Sequence, residues 1–293
     1  MQILDEYIRY IQSVRKLTEN TVNSYLIDLK KYLTYIKNKN IDLFDSTEND
    51  IISYIIELEK TDVSTATISR NISSIKSFYE YLFLNRYTKS NVSKNIKKPK
   101  IEKKEIDILS EEEVEALLSF PDLKNIKNIR DKAIFEVLYG TGIKVTELIE
   151  LDVDDVNLEF GYICCKIGKN PRVIPLTKIS SKYIEKYLKE SRNEILKTNY
   201  EEKALFINSN GSRFTRQGLW KLIKKHANRV NINKNINPTI LRNSFAIHLL
   251  NKGANIAVVS KILGSTNLSS LQHYLNCMDK NLRQELKEKH PRK

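Results

Sequence analysis

Apolar side chains recur at intervals of three and four residues from Leu4 to about Tyr87, with no strand-like alternation and no Gly-rich hairpin to interrupt them. Tyr25, Leu29, Leu33 and Ile36 fall on one stripe, and Ile68, Ile72, Ile75, Tyr79 and Leu82 on another. A stripe of that period is buried only when a second helix packs on it. Thr18 and Ser64 stand where helix N-caps belong, since a hydroxyl there accepts a bond from an amide that the helix leaves unpaired. The first part of the chain is therefore expected to be a small all-helical bundle.

The periodicity stops between Arg86 and Lys104, where Lys89, Lys94, Lys97, Lys98, Lys100 and Lys103 crowd around one proline and Glu102 is the single acid. Such a run is either a solvated linker or a track along a phosphate backbone. Helical spacing returns at Ser110-Glu-Glu-Glu113, a capping box, and continues over roughly Ile129 to Tyr139 before Gly140-Thr-Gly142 stops it and a new helix starts near Val145. The period then changes. Gly161 to Ile167 and Arg172 to Leu176 are short, partly β-branched runs around Gly168-Lys-Asn-Pro171, which predicts a hairpin, and Ala204 to Ile207 is a candidate third strand. From Thr215 onward the chain is helical in pattern, with breaks at Asn237-Pro238 and Gly253. The fold class expected is mainly α with a small antiparallel β-sheet.

Charge narrows the partners. Among 293 residues, 49 Lys and Arg face 36 Asp and Glu, a net charge of +13, so a polyanion is the first partner to consider. No apolar run approaches the roughly 20 residues needed to span a bilayer, and nothing resembles a signal peptide, so a cytoplasmic protein without membrane partners is expected. Cys164, Cys165 and Cys277 make neither a disulfide framework nor a zinc spacing, and the four histidines form no ligand pair with them. No metal and no other cofactor is expected.

The segment Pro238-Thr-Ile-Leu-Arg-Asn-Ser-Phe-Ala246, followed by Leu263-Gly-Ser-Thr-Asn-Leu-Ser-Ser-Leu-Gln-His-Tyr274, sets one arginine and one tyrosine on apolar helical frames. A guanidinium holds a phosphate diester through two hydrogen bonds, and a tyrosine hydroxyl can attack it. Without a metal, the charge that builds on the non-bridging oxygens must meet fixed cationic donors, and the leaving 5′ oxygen needs a proton from a general acid. A lysine on a hairpin tip suits that last task.

These motifs resemble the tyrosine recombinases of the phage-integrase family, nearest the bacterial Xer type, over almost the whole chain. Leu17 to Tyr25 and Thr67 to Tyr79 are similar to the main helices of the N-terminal core-binding domain. Leu138-Tyr-Gly-Thr-Gly-Ile-Lys-Val-Thr-Glu-Leu148 resembles the first catalytic box, Thr215-Arg-Gln-Gly-Leu-Trp220 the helix start after the sheet, and Leu241-Arg-Asn-Ser-Phe-Ala246 the second box. The resemblance implies a helical core-binding domain over 1–88, a basic linker over 89–107, and an α+β catalytic domain with a C-terminal tail helix over 108–293. It makes Tyr274 the nucleophile, Arg242 a phosphate-clamping arginine, and Lys169 the general acid, with Lys166 as the other lysine near that turn. The implied partners are double-stranded DNA and further recombinase copies, as a tetramer or a mixed pair.

Three positions depart from the family pattern. Lys144 stands where the first arginine belongs, Thr239 where the histidine of the second box belongs, and Ser265 where a histidine or tryptophan precedes the tyrosine. Losing one preorganised charge-stabilising donor typically lowers a rate by about 10²–10³. Lys144 keeps the charge without the planar fork, whereas Thr239 offers a hydroxyl without charge. A slowed, substrate-restricted or inactive site is expected. For DNA contacts, the resemblance implies Arg70 and Lys76 at the major groove and Thr215, Arg216 and Gln217 at phosphates.

Overall fold

The computed structural model describes residues 2–100, 107–119, 123–166, 171–197, 199, 201–232, 234 and 236–264. The chain divides into two compact units, 1–104 and 105–293.

The first unit holds α1 (Gln2–Ser13), α2 (Glu19–Asn38), α3 (Glu48–Glu59) and α4 (Thr65–Leu84). Their starts are fixed locally. Thr18 accepts a bond from the amide of Thr21, Ser64 accepts one from Thr67, and Thr47 forms a capping box with Asp50. The stripe on α4 is buried along its length, with Ile75, Tyr79 and Leu82 wholly inaccessible. On α2, Leu29 and Ile36 are buried, and Tyr32 joins them inside, its hydroxyl 2.7 Å from that of Tyr79. Burial drives the Tyr32 hydroxyl far above its ordinary pKa, so this pair is a neutral hydrogen bond within an apolar core. Beyond α4 the basic stretch folds back on this unit. Ile96 is buried, and Lys76 donates to the carbonyls of Lys94 and Ile96 at 2.8 and 2.9 Å.

The second unit opens with α5 (Glu111–Leu118), whose Ser110–Glu113 capping box is closed in both directions. Next comes α6 (Ile126–Thr141), which begins at Ile126 because Asn125 caps it. It runs through the core, burying Ile129, Ile134, Phe135 and Leu138, and packs against α8 (Lys178–Tyr187) and α11 (Pro238–Asn251). Gly142 ends α6 in the left-handed conformation at φ 58°, and α7 (Val145–Glu150) starts three residues on. The sheet has three antiparallel strands in the order β1 (Val156–Asn157), β2 (Tyr162–Cys165), β3 (Arg172–Pro175). Ile163 faces Ile174 across β2 and β3, and both are wholly buried. After α8 the chain passes through one wide helical turn, 188–192, into the short α9 (Asn193–Leu196). Helices α10 (Arg216–Arg229), α11 and α12 (Ile256–Leu263) complete the described part.

One strand is not where the sequence put it. Ala204 to Ile207 makes only isolated bridges, Asp152 with Ala204 and Ile207 with Arg213, and the third strand is Val156–Asn157. The run is apolar and buried, as its composition requires, but apart from the amide of Leu205, which donates to the carbonyl of Leu151 at 2.8 Å, the backbone partners at its two ends are side chains. Arg192 donates to the carbonyl of Ala204, Arg130 to that of Ile207, and the amide of Ile207 reaches the Tyr187 hydroxyl. Backbone groups satisfied in this way need no ladder. Among the described residues no helix is long and apolar enough to cross a membrane, and no group of three or more His, Cys, Asp or Glu could hold a metal ion.

A Cβ on Gly142 would lie 2.3 Å from Cδ1 of Phe245, while one on Gly253, at φ 86°, would meet nothing within 4 Å. Gly142→Ala is therefore expected to destabilise the second unit by about 2–4 kcal/mol, from left-handed strain plus overpacking, against about 1–2 kcal/mol for Gly253→Ala from strain alone. Trp220 is the single tryptophan of the chain and belongs to this unit, so urea unfolding followed by its fluorescence measures both. Equal losses would mean that the Phe245 contact is not limiting.

Candidate active site

Three helices bring their first turns to one cleft of about 500 Å³ in the second unit. Lys144 and Val145 come from the start of α7, Arg216 and Gln217 from the start of α10, and Thr239 and Arg242 from α11. Each start is locked by its own chemistry. Thr215 accepts a bond from the amide of Gly218 at 3.0 Å, and Asn237 accepts bonds from the amides of Thr239 and Ile240 at 2.9 and 3.1 Å. The indole of Trp220, on the cleft wall, donates to the carbonyl of Ile236 at 3.1 Å and so ties α10 to the entry of α11. Helix N-termini carry partial positive charge, and α10 and α11 are each 14 residues long. The cleft is an anion-favouring surface.

Below its rim lies a buried ion-pair cluster. Glu147 on α7 accepts Arg172 from β3 at 2.8 and 2.9 Å and the backbone amide of Lys144 at 3.0 Å. The Lys144 ammonium sits 3.6 Å from the same carboxylate, with the lysine half exposed and Glu147 buried. Burial pushes the Glu147 carboxyl up, but the Arg172 bonds, the amide and both cations outweigh it, and it titrates below the ordinary value of 4.5. Arg172 also donates from Nε to the carbonyl of Ile262 at 2.7 Å, and Arg242 donates to the carbonyls of Gly142 and Leu263 at 2.5 and 2.7 Å. Two guanidinium groups thus hold the last turn of α12. Gly264 closes that helix at φ 61°, its α-carbon face against Arg172 so closely that a Cβ would sit 2.7 Å from the guanidinium.

The structure gathers Lys144, Arg216, Gln217, Thr239 and Arg242 at one cleft, although they come from three separate segments, with Thr215 as the cap beside them. Lys169, Ser265 and Tyr274 lie outside the described residues. Lys166 is 2.5 Å from Asp155, and that bond raises its pKa above the ordinary lysine value, which suits an ion pair better than a proton donor. In the first unit, Arg70 gives its fork to the buried Asp28 at 2.8 and 2.9 Å, and Lys76 borders a basic groove with Arg15, Lys94, Lys97 and Lys98. His248 is buried with Nδ1 2.9 Å from the Tyr139 hydroxyl, and burial lifts the Cys165 thiol to about 11, so neither offers a reactive group to the cleft. Sequence reasoning missed Glu147 and Arg172 as a pair. A glutamate three residues after a cation was the available signal, but nothing in the linear spacing links it to position 172.

Comparison with known proteins fits this architecture. Residues 107–281 match the phage integrase family, and residues 4–85 match the phage integrase N-terminal SAM-like domain. The chain belongs to the phage integrase family. It is 38% identical over 292 residues to the tyrosine recombinase XerD of Oceanobacillus iheyensis, covering 99% of this chain and 98% of that protein. It is 39% identical to tyrosine recombinase XerD of Staphylococcus haemolyticus over 99% of both chains. Its fold is similar to that of the XerH site-specific recombinase bound to a palindromic difH substrate, with a TM-score of 0.76 at 21% identity over 98% of this chain and 85% of that one. A lambda integrase dimer bound to a core site aligns with a TM-score of 0.70 at 15% identity, over 93% and 94% of the two chains. The phage integrase fold thus accounts for both units.

The Glu147 carboxylate makes a pH prediction. Its folded pKa is depressed, so its contribution is fully present above the unfolded value of 4.5 and is lost as pH falls through the lower folded value. Glu147→Gln leaves Arg172 buried without a counter-charge and is expected to cost about 3–5 kcal/mol at pH 7, the gap to wild type narrowing below about pH 4. Urea unfolding by Trp220 fluorescence across pH 3–7 reads it; a gap that stays constant with pH would remove the carboxylate as its source.

Proposed function

We propose that the chain is a Xer-type site-specific recombinase that cuts and rejoins duplex DNA through a covalent tyrosyl intermediate. The observation that carries this reading is the convergence of Lys144, Thr239 and Arg242, from segments about a hundred residues apart, on one anion-favouring cleft. In the reaction the Tyr274 hydroxyl attacks a backbone phosphorus. The Tyr274 oxygen–phosphorus bond forms, the bond to the 5′ oxygen breaks, the phenolic proton passes to solvent water, and the departing oxygen takes a proton from the Lys169 ammonium to become a 5′ hydroxyl. Attack by an incoming 5′ hydroxyl on the 3′-phosphotyrosyl bond reverses the steps and restores the tyrosine. Arg242 and Lys144 meet the charge on the non-bridging oxygens, and Thr239 donates one hydroxyl bond. Four copies, or two pairs of different recombinases, act on two duplexes, with Arg70, Lys76, Thr215, Arg216 and Gln217 among the contacts that hold DNA.

A second reading is a DNA-binding member of the family that does not cut. It is favoured by the pairing of Lys144 with Glu147, which draws the ammonium partly away from a phosphate, and by the lack of charge on Thr239.

The DNA recovered with this protein from its own cells, rebuilt as a duplex nicked beside the exchange point, separates the two. A covalent adduct that survives denaturing electrophoresis and vanishes in Tyr274→Phe is the result expected of the recombinase; retention of that DNA with no adduct would leave the binder. Lys144→Arg, Thr239→His and Ser265→His together are expected to raise the single-turnover rate at least about tenfold, because each restores a donor to the developing charge. A rate unchanged by all three would show that the clamp does not limit the site.

A further inference from the structure

Among the described residues the cleft has three cations, Lys144, Arg216 and Arg242, and they differ in what already occupies them. The Lys144 ammonium is 3.6 Å from the Glu147 carboxylate. Arg242 has one arm on the carbonyl of Gly142 and the other on that of Leu263. Arg216 is exposed, borders the same cleft, and has no hydrogen-bond or ion-pair partner among the described residues. Its backbone is nonetheless fixed, being the first residue of α10 between the Thr215 cap and the Trp220 bond to Ile236. A held base with a guanidinium open to solvent is the arrangement expected of a group waiting for an anion.

We propose that Arg216 is a catalytic residue of this site: its guanidinium contacts the phosphate under attack and supplies the planar, two-pronged donor that Lys144 lacks. The inference rests on the recombinase reading above and deepens it from DNA contact to chemistry. When the tyrosine oxygen adds to phosphorus, charge grows on two non-bridging oxygens. A lysine meets it as a point charge, whereas a guanidinium presents two parallel N–H groups to both oxygens at once. Of the uncharged polar side chains that line the cleft beside Trp220, Gln217 offers a neutral amide and Thr146 and Thr239 one hydroxyl each. Arg216 is the group that compensates for the substitution at 144.

Compensation predicts that the two positions are coupled. Single-turnover adduct formation is measured on the nicked duplex, at saturating protein, for wild type, Arg216→Ala, Arg216→Lys, Lys144→Arg and the Lys144→Arg/Arg216→Ala double variant. Arg216→Ala is expected to slow cleavage by about 10² at saturation, and Arg216→Lys to recover only part of that loss. In the Lys144→Arg background the same alanine is expected to cost less than about tenfold, since a fork is again present. An Arg216→Ala variant that shifts only the DNA concentration for half-saturation, with the saturated rate intact, would make the residue a DNA-affinity contact and overturn the proposal. So would equal slowing in both backgrounds. Absence of any adduct with wild type and Lys144→Arg alike would remove the recombinase reading itself, and this inference with it.

Discussion

A single buried carboxylate organises the second unit's site. Glu147 receives the guanidinium of Arg172 and the amide of Lys144, and Arg172 in turn grips the carbonyl of Ile262. Through those bonds α7, β3 and α12 share one fixed reference. A carboxylate removed from water needs both a counter-charge and hydrogen bonds, so none of these elements can shift without exposing the cost of the others. The consequence reaches the site in two directions. Lys144 is held at the cleft edge, and the end of α12, from which the chain leads on toward Tyr274, is anchored by Arg172 and Arg242 together.

Basic residues in this chain serve two different ends, and charge totals do not separate them. Arg130, Arg172 and Arg192 are buried or nearly so and act as internal hydrogen-bond donors, to Ile207, to Ile262 and to Ala204. Arg70 is partly inward, locked on Asp28. Those on the cleft and on the first unit's groove, Arg216, Lys94, Lys97 and Lys98, line concave surface instead. The excess of cations that points to a polyanion in the sequence is therefore carried by a subset of them, and it is the surface subset that can release counterions on binding.

What was legible in the sequence was local or periodic. The helical stripes on α2 and α4, the caps at Thr18, Ser64 and Ser110, the stop at Gly142 and the β2–β3 hairpin each depend on residues within a turn or two of one another. The Ala204–Ile207 run was legible as buried but not as irregular, because the partners of the backbone at its ends include the side chains of Arg130, Tyr187 and Arg192, which are distant in sequence or not strand-forming. The cleft residues were named from family motifs, and their grouping at one surface is a property of three helix starts meeting.

By itself, then, the sequence determined the helical class, the capped starts, the turn glycines and the family, since these follow from short-range periodicity and from motifs kept in order along the chain. The tertiary structure alone decided which charges pair. Glu147 meets Arg172, Arg70 meets Asp28, and Arg216 is exposed on the cleft because electrostatic partners are chosen by distance in space, where desolvation makes an unpaired buried charge intolerable, and not by separation along the chain.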